Sequence, residues 1–135
     1  MTKIIKNLTR SVKPYLGLLI LFTGAILYGT LFPVYYDVPQ SFMGLDKIVH
    51  FVMFAAWTFF YGLVRFLKDN FALYPVFLVG SLFGLLIEVL QHLLPTGRSP
   101  ELLDFAADIT GTGAAVVVLY ILAQKVPAFK TGTAS

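Results

Sequence analysis

Four apolar runs, residues 15–32, 48–67, 71–94 and 102–123, take up most of this 135-residue chain. Each is close to the roughly 20 residues that a helix needs to cross the hydrocarbon core of a bilayer. A run of that kind can satisfy its backbone N–H and C=O groups in lipid only by folding as a helix. The expected fold is therefore all-α: a polytopic membrane protein, one domain, a four-transmembrane-helix bundle with residues 124–135 as a short tail. Charge supports this, because only 13% of the residues are charged, against about 25% in soluble domains. The connections carry helix breakers: Pro33 and Pro39, then Asp69-Asn70, then Pro95, Gly97 and Pro100. Pro75 falls in the first turns of the third run, where it is tolerated.

The basic start followed by an apolar run resembles a secretory signal, but the run is long and lacks an A-x-A site. It reads as a retained first helix. Lysine and arginine in alternate connections then give the orientation. Lys3, Lys6, Arg10, Lys13, Arg65, Lys68, Lys125 and Lys130 fall on one side, and Lys47 and Arg98 on the other. Eight against two predicts both termini in the cytoplasm and the connections at 33–47 and 95–101 outside. The net charge of +3 reflects this clustering and does not point to nucleic acid. With no cysteine, disulfides, thiolate metal sites and cysteine nucleophiles are excluded.

Gly80 and Gly84 form a G-x-x-x-G pair, and Ala107, Gly111 and Ala115 a small-residue stripe. Both patterns let helices approach closely. The aromatic residues, Trp57 and Tyr120 among them, read mainly as interface anchors and lipid-facing filler.

The polar residues inside these runs carry more information. Asp46, Lys47 and His50 stand at the start of the second helix, Glu88, Gln91 and His92 near the end of the third, Asp104 and Asp108 near the start of the fourth. All fall at the predicted outer end. Within each set the spacings are three or four residues, which places each set on one helical face. Glu88 and Asp108 both lie six residues in, about 9 Å deep at the helical rise. A charged side chain facing lipid costs around 2.5 to 3.5 kcal/mol at mid-bilayer, so the three faces are expected to turn inward together, with Arg98 as a lid. Four carboxylates against Lys47 and Arg98 leave the pocket at net −2 with neutral histidines. Protonated histidines, a proton on Glu88 or Asp108, or a bound cation must compensate.

On these residues the chain resembles the VanZ-like family of bacterial membrane proteins. The matching elements are Asp46-Lys47-x-x-His50-Phe51, Glu88-x-x-Gln91, Arg98, and Asp104 followed by Gly111. Asp108 departs from the pattern, standing where the family more often has asparagine. His92 and the first helix lie outside it. The resemblance implies a small multi-helix protein of the bacterial cytoplasmic (inner) membrane. It also implies a relation to a member linked to lowered susceptibility to the glycopeptide teicoplanin.

Several functions fit these residues. The polar groups can form an interhelical network that fixes the bundle. They can form an outward-facing pocket, made of Asp46, Lys47, His50, Glu88, Gln91, Arg98, Asp104 and Asp108, for an envelope-lipid or wall-precursor headgroup, anionic if Lys47 and Arg98 supply the contacts. They can be catalytic, with His50 as general base and Glu88 or Asp104 orienting it, or with His50, Glu88, Asp104 and Asp108 on a metal. A fourth reading is an accessory subunit that contacts another membrane protein within the bilayer. No motif names a cofactor.

Overall fold

The computed structural model describes residues 11–32, 43–68, 72–95, 97 and 100–125. The basic residues Lys3, Lys6, Arg10, Arg98 and Lys130, and the breakers Pro33, Pro39, Asp69 and Asn70, lie outside the described residues. Four helices make up the described fold: α1 (Lys13–Leu31), α2 (Met43–Leu67), α3 (Leu73–Leu93) and α4 (Leu102–Lys125). All four are long and apolar enough to cross a membrane. The protein is a multi-pass membrane protein whose surroundings are a lipid bilayer.

α2 starts five residues before the apolar run because Asp46 and Lys47 interrupt hydropathy without interrupting a helix. Asp46 lies in its first turn and Arg65 in its last, each on the side that the helix dipole favours. α4 likewise continues to Lys125, a basic residue in its last turn. Proline opens α1, a position where the missing N–H costs nothing.

Residue pairs across the helices give their relative directions. Thr23 meets Trp57 and Phe22 meets Phe60, so α1 and α2 run antiparallel. Phe54 meets Gly84 and Thr58 meets Gly80, so α2 and α3 do as well. Asp108 lies against Gly84 and Thr112 against Gly80, which makes α3 and α4 antiparallel. α2 and α4 are parallel, with Lys47 at Asp104 and Gly62 at Leu119. The bundle is up-down-up-down, and α2 packs most extensively against α4.

Small residues permit that packing. A methyl group on Gly111 would collide with the Phe51 carbonyl, and one on Gly80 would come within 2.8 Å of both the Thr112 methyl and the Thr58 hydroxyl. The interior reverses the pattern of a soluble protein. Ile20, Leu21, Leu86 and Leu102 face outward, while His50, Thr58, Glu88, Gln91, Asp104, Asp108 and Thr112 are buried. Lipid solvates the apolar exterior, so polar groups gain by turning to each other.

One expectation is corrected by the packing of the aromatic residues. Tyr120 is exposed, but Trp57 and Phe54 are core residues. Phe83 lies 4.7 Å from Trp57 and 5.5 Å from Phe54, ring centre to ring centre. The Trp57 indole N–H donates to Thr23 Oγ1 at 2.8 Å, and that bond satisfies the one polar atom that would otherwise keep the ring at the interface.

Candidate functional site

The helix directions bring four element ends together: the last turns of α1 and α3 and the first turns of α2 and α4. Gln91 belongs to this end, but it faces α1, where its Nε2 donates to the Thr30 carbonyl at 3.0 Å. That carbonyl lies at the end of α1, where the last C=O groups lack helical partners. Gln91 thus ties α3 to α1.

His50 and Asp108 form the centre. His50 Nδ1 lies 2.8 Å from Asp108 Oδ1 and both side chains are buried. Gly84 makes room for this pair, because a side chain there would press on the Asp108 Cβ and Oδ2. Among the described residues the carboxylate that holds His50 is Asp108, in place of the Glu88 or Asp104 expected from the sequence. The imidazole enters from α2 on the face shared with Lys47, and parallel packing of α2 on α4 sets Asp108 opposite.

Lys47 closes the N-terminal end of the α2–α4 seam. Its Nζ lies 2.7 Å from Glu101 Oε2 and 3.0 Å from Asp104 Oδ1. Asp104 is buried and Glu101 is exposed, so the ammonium stays near the surface and neutralises a carboxylate beneath it. Sequence reasoning missed Glu101, which reads as loop because it precedes the apolar run. Its spacing of three from Asp104 was the available signal, since it puts both on one face.

Glu88 points into the same region from α3. Atoms of His50, Glu88 and Asp108 lie within 4.8 Å of one another, and so do atoms of Asp46, His50 and Asp104. Among the described residues Asp108 Oδ2 is buried without a hydrogen-bond partner, and the buried Glu88 oxygens have no side-chain donor, with the Glu101 backbone N–H nearby. Five carboxylates (Asp46, Glu88, Glu101, Asp104, Asp108) now stand around Lys47 and His50, a larger acidic surplus than the sequence count. Arg98 falls outside the described residues, and His92 is exposed on α3.

Two openings reach the cluster from different sides. A cleft of about 150 Å³ between α1 and α2 is walled by Ile26, Gly29, Met53 and Phe54 and ends on Asp46 and His50. A shallower groove of about 230 Å³ between α3 and α4 runs over Leu85, Pro100, Leu102 and Phe105 to Glu88. Glu88 there faces the first turn of α4, whose free amides favour a negative charge.

Residues 4–123 match the VanZ/LLP1 family. The chain belongs to that family. The match spans the first three helices of this VanZ-like protein and all but the last two residues of α4, including every residue of the buried cluster. No curated protein and no solved structure matches the chain.

Proposed function

We propose that this VanZ-like protein binds the polar headgroup of a cell-envelope lipid, with the α1–α2 cleft as the entry. The observation that carries this reading is the composition of the cleft: an apolar wall of Ile26, Met53 and Phe54 leading to Asp46 and His50. That gradient suits an amphiphile, whose chain stays against the wall while its headgroup meets the polar tip. Lys47 already serves Glu101 and Asp104, so the acidic surplus favours a headgroup that brings N–H or O–H donors over a purely anionic one. The eight-to-two distribution of basic residues supports cytoplasmic termini, which turn the cleft outward. An outward headgroup site would connect the protein to wall precursors and through them to glycopeptide susceptibility.

Gly29 supplies the test. A Cβ there meets nothing within 4 Å among the described residues, so Gly29→Leu should leave the fold intact while filling the cleft. Native mass spectrometry against phosphatidylethanolamine and phosphatidylglycerol should show retention of the amine-bearing lipid by the parent protein and its loss in Gly29→Leu and Asp46→Asn. Equal retention by all three proteins would refute the cleft as the binding site.

A second reading has its own observation. Hydrogen bonds and ion pairs join α1 to α2, α1 to α3 and α2 to α4, as a bundle-fixing network in an accessory subunit would. Under that reading His50→Ala lowers stability, and phosphatidylethanolamine is retained no better by the parent protein than by Gly29→Leu.

A further inference from the structure

Glu88 and Asp108 present a difficulty that the headgroup cleft does not resolve. Glu88 is only 8% exposed and Asp108 is fully buried, yet among the described residues Asp108 Oδ2 accepts no hydrogen bond and Glu88 is approached only by the backbone N–H of Glu101. Native structures rarely leave buried acceptors in this condition, and each such group calls for a specific explanation. An unpaired buried carboxylate is costly, and two close together also repel.

We propose that His50, Glu88 and Asp108 form a binding site for a divalent transition-metal ion, of the Zn²⁺ or Mn²⁺ kind. This goes beyond the headgroup reading and does not depend on it. Three helices each supply one ligand, and the three ligand atoms already lie within 4.8 Å of one another. His50 Nδ1 and Asp108 Oδ1 are 2.8 Å apart, a hydrogen-bonded contact, and a small side-chain rotation opens it to the roughly 3.4 Å that separates two ligands about 2.1 Å from one tetrahedral ion. The long Glu88 side chain can close the remaining gap by rotating about its own bonds. An imidazole with two carboxylates suits a borderline ion, whereas Ca²⁺ and Mg²⁺ take oxygen shells. A dipositive ion would also cancel the two carboxylates and leave the centre neutral.

The second grouping, Asp46, His50 and Asp104, shares His50. Its Asp104 is already ion-paired with Lys47. The deeper set holds Asp108 Oδ2, which has neither a hydrogen bond nor an ion pair among the described residues, and is the one assigned. Three protein ligands leave a coordination position open, as in catalytic rather than structural metal sites. The α3–α4 groove, which ends on Glu88, is the route by which a further ligand would reach it.

The experiment uses the full chain, without a histidine tag, in mild detergent. Protein stripped with a chelator is dialysed against Zn²⁺ or Mn²⁺ alone, and bound metal is measured together with thermal stability. The parent protein should take up about one ion per chain and melt at a higher temperature. Glu88→Gln and Asp108→Asn should each weaken uptake more than tenfold, while His92→Ala, which removes the exposed histidine, should keep it. Failure of the parent protein to take up either ion at near-millimolar concentration would overturn the assignment. So would undiminished uptake in both carboxylate variants, or loss of uptake in His92→Ala. Lipid retention measured on the same preparations separates this outcome from that of the headgroup reading.

Discussion

Asp108→Asn replaces one carboxylate oxygen with an NH2 group and changes the shape of the side chain very little. The amide oxygen can keep the 2.8 Å contact with His50. The NH2 then takes the place of Oδ2, which is buried beside Gly84 and has no partner among the described residues, in a cluster where those residues give Glu88 no side-chain donor. A net hydrogen bond contributes about 0.5–1.5 kcal/mol, and one to a charged acceptor about 1.5–3 kcal/mol. Removing one of two neighbouring negative charges acts in the same direction. Chelator-treated Asp108→Asn should therefore be more stable than the parent protein by about 1–3 kcal/mol, read as a rise of several degrees in thermal unfolding in mild detergent. Asp108→Leu is the comparison: it offers His50 no acceptor and should lose about 1–3 kcal/mol through the stranded imidazole. With Zn²⁺ or Mn²⁺ present the order of parent and Asp108→Asn should narrow or reverse, because only the parent gains from the ion. Destabilisation of chelator-treated Asp108→Asn by more than about 1 kcal/mol would refute the reasoning. It would mean that the carboxylate is compensated without metal.

Gly111→Ala should destabilise by about 1–3 kcal/mol, since the added methyl meets the Phe51 carbonyl and forces α2 away from α4; an unchanged melting temperature would refute the close approach. Reporter fusions after Asp69 and after Ser135 should read cytoplasmic, and fusions near Gln40 and Gly97 external, as the distribution of basic residues predicts. An external C-terminus would place the cluster on the opposite side of the membrane and remove the wall-precursor connection.

The four helices were legible because lipid imposes one rule on the whole chain, and a run of apolar residues of spanning length records it directly. Convergence of His50, Glu88 and Asp108 was legible for the same reason: each would be costly in lipid, and each falls at one end of its helix. The pairing within the cluster was not. Whether His50 meets Asp108 or Glu88 depends on α2 running parallel to α4 at the contact made by Gly111 and Phe51, and helical periodicity alone does not fix the rotation of one helix against another. Glu101 and Trp57 show the other limit. Hydropathy assigned Glu101 to a loop and Trp57 to the interface. Lys47 recruits the first, and Thr23, an otherwise ordinary position on α1, admits the second to the core.

Beneath Asp108 the polar column stops after one layer. Thr58 and Thr112 share a 3.3 Å hydrogen bond under Gly80, and the buried side chains below them, Val76, Ala115, Leu119 and Val64, are apolar. Among the described residues this stack acts as a plug, so the protein has the form of a cup and not of a conduit. Anything that reaches His50 must leave at the end of the bundle where it entered, through the α1–α2 cleft or the α3–α4 groove. Occupancy of the site is then governed by the composition of one side of the bilayer alone.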